Sequence, residues 1–204
     1  MRSITVVSII CLFIFQLAFA GAQNLIYNGG AEIAIGDTMP AGWTQVAGNW
    51  KSIIDTDGSY APAEEGYRLF FSGKDSLGIL QQDVNIASYS MAVDAQKINV
   101  IFNGFVRSHD QHPADQSRIL VQCLDVSKTN VLFEFDSDTI SSIGVWKEVA
   151  DTFIAPLGTR FLRVQLIATR RSGVDNDGYF DNLCLYAVKT PNVYAKSKEN
   201  KKVN

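Results

Sequence analysis

From residue 24 onward, apolar residues recur in short, alternating runs broken by Gly, Pro, Asp, Asn and Ser, and no long stretch repeats with helical period. The pattern predicts strands over Asn24 to Tyr27, Trp43 to Asp55, Tyr67 to Phe71, Gly78 to Val84, Lys97 to Ser108, Ser117 to Val126, Val145 to Ile154, Arg160 to Thr169 and Tyr179 to Val188. Eight or nine strands at this spacing suit an all-β, two-sheet antiparallel sandwich of jelly-roll type. The alternation also assigns faces. In Lys97 to Ser108, Val100, Phe102, Gly104 and Val106 share the core side, and Asn99, Ile101, Asn103, Phe105 and Arg107 face outward. In Arg160 to Arg171, Leu162, Val164, Leu166 and Ala168 point inward, with Arg163, Gln165, Ile167, Thr169 and Arg171 outward. The outward mixture suits a sugar, offering planar donors and acceptors for hydroxyls and an apolar platform for a pyranose ring. It equally describes an ordinary solvated sheet face.

The two ends differ from the body. Residues 4 to 20 are apolar apart from Thr5, Ser8 and Gln16, follow Arg2 and end in Ala18-Phe19-Ala20. This predicts a secretory signal peptide over 1–20, cut after Ala20 or Ala22, with an uncleaved anchor as the alternative. A single domain over 21–188 should follow, secreted to the extracellular space and free of the membrane. From Lys189 the chain loses apolar periodicity, so 189–204 is expected to be a disordered basic tail. Its five lysines and Glu199 give +4, whereas the chain as a whole carries −3. With Arg2 removed, the domain itself is left with about −8, an acidic body unsuited to nucleic acid.

Once Cys11 leaves with the leader, Cys123 and Cys184 remain, both inside apolar strand patterns. An oxidising compartment permits a disulfide between them, and small buried hydrophobes are the other reading. Of the tryptophans, Trp43 and Trp146 suit core packing, and Trp50 and Tyr60 suit exposure.

The longest polar insert, Arg107-Ser-His-Asp-Gln-His-Pro-Ala-Asp-Gln-Ser-Arg118, lies between two strands, a usual place for recognition. Arg107 and Arg118 at its roots can fork onto a carboxylate. His109, His112 and Asp115 are of zinc-ligating type, but Pro113 disfavours a helix that would present the histidines together. No Gly-X-Ser-X-Gly elbow and no phosphate-cradling glycine loop is present, and the acidic residues fall mostly at turns. The expectation is therefore a non-catalytic binding protein.

Asn28-Gly-Gly-Ala-Glu32, Pro40-Ala-Gly-Trp43, Gly66-Tyr-Arg-Leu-Phe-Phe-Ser-Gly73, Leu80-Gln-Gln-Asp-Val84, Trp146, Ala155-Pro-Leu-Gly-Thr-Arg160 and Asp175-Asn-Asp-Gly-Tyr-Phe-Asp-Asn-Leu183 follow one another along almost the whole mature chain. This ordered series resembles galactose-binding-like jelly rolls, including carbohydrate-binding modules. The resemblance implies a structural Ca2+, held by Glu32, by the loop Gly73-Lys74-Asp75-Ser76 with Lys74 at its centre, and by Asp181, since calcium prefers six to eight oxygens. It also places the two alternating strands in one sheet. Their outward residues Asn103, Phe105, Arg107, Arg163 and Gln165 would then form one ligand face, with His109 and Arg118 from the adjoining loop. The implied partner is a glycan or glycoprotein. An extracellular matrix or adhesion component, using the sandwich for protein or mineral-associated contacts, is the alternative.

Overall fold

The computed structural model describes residues 22–35 and 39–190. The leader and nearly all of the basic tail lie outside the described residues. Twelve strands are present: β1 (Ala34–Ile35), β2 (Met39–Pro40), β3 (Thr44–Ala47), β4 (Lys51–Ile53), β5 (Leu69–Phe71), β6 (Leu77–Asn85), β7 (Ile98–Ser108), β8 (Gln116–Leu124), β9 (Val131–Asp136), β10 (Lys147–Ile154), β11 (Phe161–Thr169) and β12 (Gly178–Lys189). One short helix, α1 (Ser90–Asp94), sits between β6 and β7. Sheet I has the order β3-β6-β11-β8-β9 and sheet II the order β10-β7-β12-β5-β4, with β1 and β2 forming a small separate pair. The main sheets are antiparallel throughout. This is the expected jelly-roll sandwich.

The alternation of β7 and β11 is as read from the sequence, each strand buried at every second residue. Val100, Phe102 and Val106 of sheet II meet Leu162, Val164 and Leu166 of sheet I in one continuous core. Aromatic pairs bind the layers at their rims: Phe133 and Phe153 stack at 4.5 Å between centroids, and Trp43 meets Phe70 edge-on at 5.1 Å.

The structure differs from the reading of the sequence at several places, the small β1–β2 pair among them. Trp43 to Asp55 is two strands, not one. Gly48 turns between them with φ +86°, passing the chain from sheet I to sheet II so closely that a Cβ would sit 2.8 Å from the Gly78 Cα. That crossing buries Trp50 to 1% exposure against Phe180, contrary to its expected exposure. Asn24 to Tyr27 forms no strand. Instead the Asn24 side chain borders β12, its Nδ2 donating to Leu183 O and its Oδ1 accepting from Ile26 and Leu185 N–H. The edge strand β9 was not anticipated. Its period is masked by exposure of both Val131 and Leu132.

Candidate functional site

The segment between β4 and β5 folds back over the outer face of sheet II. Ala61 from this segment packs with Leu69, Phe71 and Tyr179 in a second apolar cluster, bordered by Tyr60, Ile53 and Trp146. Trp146 therefore belongs to this cover and not to the main core, and its Nε1 donates to Pro62 O at 3.0 Å. The cover hides the β4–β5 side of sheet II and leaves the β12–β7–β10 side open.

On that open side lies a cleft of about 500 Å3, lined by Ile101, Asn103, Glu148, Ala150, Thr152 and Tyr186 among others. Strand register explains why these residues meet. Ile101 stands between Thr152 of β10 and Tyr186 of β12, and Asn103 between Ala150 and Cys184. All are the outward members of their strands. Ile101, Ala150 and the Tyr186 ring supply apolar surface, and the Asn103 amide donates to the Glu148 carboxylate. Phe105 follows, half-buried between Glu148 and Asp181, and Arg107 ends the row opposite Tyr179. The Arg107 Nε is buried without a hydrogen-bond partner.

The structure divides the expected ligand face in two. Asn103, Phe105 and Arg107 belong to sheet II, but Arg118, Arg163 and Gln165 belong to sheet I. Outward residues of the two sheets point to opposite sides of the molecule, so these sets cannot touch one ligand. The sheet I set is also committed to cross-strand partners. Arg163 donates to both Asp83 oxygens at 2.7 and 3.1 Å, Gln165 donates to Gln81 at 2.9 Å, and Arg118 pairs with Asp136. The Arg163 hydrogen bond, with Lys128 adding to it, lowers the Asp83 pKa below its ordinary value. His109 lies beyond the end of β7, its N–H bonded to Asp177 O at 3.3 Å, away from the cleft.

Sequence reasoning missed Tyr186, Glu148, Ala150 and Thr152. The signal was present in the alternation of their strands, but only the strand order brings them beside β7.

The calcium expectation is likewise divided. Glu32 and Asp181 both flank Gly30: a Cβ there would stand 3.6 Å from Asp181 Oδ1 and 3.7 Å from Glu32 Cγ. Glu32 Oε1 accepts from Tyr67 and Arg68 N–H, and Asp181 Oδ2 from Glu64 and Glu65 N–H. Burial pushes the Asp181 pKa up to about 7 against these amide bonds, and the neighbouring Glu64 charge adds to the rise. Lys74 is elsewhere. Its loop is tied to the β11–β12 connection, with Asn176 N–H donating to Gly73 O and Arg170 to the Lys74 carbonyl, whereas Asp181 lies several residues further along β12. The loop actually beside Glu32 and Asp181 is 64–68. Carboxylate oxygens are of the type that Ca2+ takes, but here they are engaged by the amide N–H groups of Glu64, Glu65, Tyr67, Arg68 and Asn182. Among the described residues, no cluster of three or more His, Cys, Asp or Glu side chains is assembled for a metal. This holds for His109, His112 and Asp115 too. Asp115 is buried and spends its oxygens on the Arg171, Ser172 and Asp177 amides.

Cys123 and Cys184 are both free. Cys123 faces the core from sheet I, and Cys184 points outward from sheet II opposite Asn103. Packed sheets lie about 10 Å apart, beyond the roughly 7 Å between Cα atoms that a disulfide can span.

No protein-family model matches the sequence, and no curated protein does. Solved structures do match in shape. A family 61 carbohydrate-binding module solved with β-1,4-galactotriose superposes with TM-score 0.53 at 14% identity, covering 80% of this chain and 98% of its own. A family 16 carbohydrate-binding module gives 0.54 at 18%, over 79% and 99%. A cyclase from Fischerella sp. gives 0.55 at 16%, over 84% of this chain and 99% of its own, so the shape alone does not decide between binding and catalysis. Against the enzymatically active domain of a bacteriophage CBA120 tailspike the score is 0.55 at 12%, and this chain spans only 21% of that protein's length. At these identities the likeness establishes the fold alone, a jelly-roll sandwich whose shape carbohydrate-binding modules and a cyclase both match.

Proposed function

We propose that this chain is a secreted, non-catalytic glycan-binding module whose ligand lies across the open half of sheet II. The observation that carries the reading is the cleft itself. Its floor joins an aromatic ring to aliphatic side chains, and its rim holds an amide, a carboxylate and a hydroxyl. A pyranose needs those two kinds of contact together, an apolar face to stack on and planar polar groups for its hydroxyls. The likeness to modules solved with galactotriose or described as xylan-binding supports the same reading. The apolar leader supports secretion. Calcium belongs to the proposal as a structural ion at Glu32 and Asp181, beside Phe105 at the edge of the open face, with backbone carbonyls completing its coordination.

The test is a glycan array followed by titration calorimetry of the mature chain. Binding that is lost in Tyr186→Ala and kept in Arg163→Ala supports the cleft. Absence of binding to any glycan overturns the proposal and moves the matrix or adhesion role to first place.

A further inference from the structure

Charge around the cleft is one-sided. Glu148 stands at its rim, the outward Ala150 and Thr152 carry no charge, and no lysine or arginine lines it. Glu148 accepts from Asn103 through Oε1, and its side chain is exposed. Across β12, the Glu65 N–H bonds to Asp181 Oδ2, which sets a further acidic residue on the side opposite β10. The nearest cation in the same row is Arg107, two outward positions beyond Asn103 and past Phe105. The whole domain is acidic as well.

Resting on the glycan-binding reading, we infer that this cleft selects its ligand by charge, taking neutral or amine-bearing glycans and rejecting uronic or sulfated ones. Glu148 is exposed at the rim of an apolar floor made by Ile101, Ala150 and Tyr186, so its repulsion of an anionic ligand should weaken with added salt. A carboxylate or sulfate laid on that floor would meet Glu148 as a like charge. An ammonium on an amino sugar would find a carboxylate beside an aromatic ring, a pairing favourable on both counts. Neutral hydroxyls still have the Asn103 amide and the Glu148 carboxylate as partners. Selection thus arises as much from repulsion of the wrong ligand as from attraction of the right one.

The experiment uses the mature chain on an array of neutral, glucosamine-containing, uronate and sulfated oligosaccharides, with calorimetry on the strongest binders at low and at moderate salt. The expected bound set is neutral or amine-bearing, with uronates and sulfated chains at least tenfold weaker. In Glu148→Lys the order should shift toward the anionic chains, and Glu148→Gln should relax the discrimination without reversing it. Melting curves check that both variants fold. Uronate or sulfated chains bound by the parent as tightly as neutral ones overturn the charge selection and leave glycan binding standing, as does a preference unchanged by Glu148→Lys. Failure to bind any member of the array removes both the selection and the function beneath it.

Discussion

Across the β7–β10 pair the Asn103 amide donates to the Glu148 carboxylate, although the register sets Asn103 opposite Ala150 and Glu148 opposite Phe105. The contact is diagonal, the second-nearest relationship on a sheet face. It holds both polar groups at the rim and leaves the small Ala150 between them as floor. Asn103→Ala should remove a ligand donor and also release Glu148. The expected loss is about 1.5 kcal/mol, roughly tenfold in affinity, with little change in melting temperature. Titration calorimetry measures it, and an unchanged affinity would place the ligand elsewhere.

Acid should weaken the sheet I face through Asp83. Arg163 holds the folded-state pKa of this carboxyl below the unfolded value, so the pair stabilises fully above the ordinary 3.8 and loses that contribution as pH falls through the folded value. The pair is only partly exposed, and roughly 0.5–1 kcal/mol is at stake. Urea midpoints at pH 7 and near pH 2.5 should converge for parent and Asp83→Asn as acid is added, with the parent ahead at pH 7. A parent with no advantage at pH 7 would contradict the pairing.

Calcium at Glu32 and Asp181 should raise stability, because an ion bound only by the folded state contributes RT ln(1 + [L]/Kd), about 2.7 kcal/mol at a hundredfold excess over Kd. Chelation should then lower the melting temperature, and Asp181→Asn should abolish the difference. Lys74→Ala should leave it intact, since the Lys74 loop packs against the β11–β12 connection. Identical melting curves with and without chelator, on protein shown free of metal, would remove the ion.

The fold was more legible in the sequence than the site, for a reason that lies in the range of the signal. Alternation is local: it placed Val100, Phe102 and Val106 inside and Asn103 and Phe105 outside correctly, because each strand carries its own period. Which strands are neighbours is not local. Sheet membership of β7 and β11 comes from long crossovers, so Arg163 and Gln165 were assigned to a face on the wrong side of the molecule. Tyr186 and Glu148 alternate as clearly as Asn103, yet nothing within β10 or β12 tells that both flank β7. Trp50 shows the same limit, since its burial depends on a crossing between sheets at Gly48. The calcium residues divide in the same way. Glu32 and Asp181 sit at the chain's two ends, which meet across the Gly29–Leu183 contact, whereas the position of the 73–76 loop depends on tertiary packing.

Both cysteines should be recovered as thiols. Intact mass under non-reducing denaturation should show two alkylatable groups in the mature chain, and reductant should not move the melting temperature. In the folded state Cys123 should react far more slowly than in the unfolded chain, because burial pushes its pKa up to about 12. Cys184, half-buried on the cleft side and also raised by burial, should react before it. A single product two mass units lighter, without free thiols, would contradict the placement of the two residues on different faces.

Gly29 is where the chain's beginning locks onto its last strand. Leu183 N–H donates to the Gly29 carbonyl at 3.0 Å, at the irregularity in β12 between Asp181 and Cys184. A Cβ on Gly29 would stand 2.1 Å from the Leu183 carbonyl oxygen, and both partners are backbone, so no side-chain rotation relieves the clash. Gly29→Ala must therefore push the amino-terminal segment away from β12, weakening the Asn24 bonds to Leu183 and Leu185 as well. Overpacking of this kind costs about 1–3 kcal/mol, and lost hydrogen bonds add to it. The displaced segment carries Glu32, so the same substitution should reduce stabilisation by calcium more than glycan binding, because the cleft takes only Tyr186 from β12, beyond the irregularity that Gly29 contacts, and the rest from β7 and β10. Thermal unfolding with and without chelator, alongside glycan titration of Gly29→Ala, separates the two effects. Unaltered stability would mean that the amino end does not pack against β12, and equal loss of glycan and calcium responses would mean that the cleft depends on that packing.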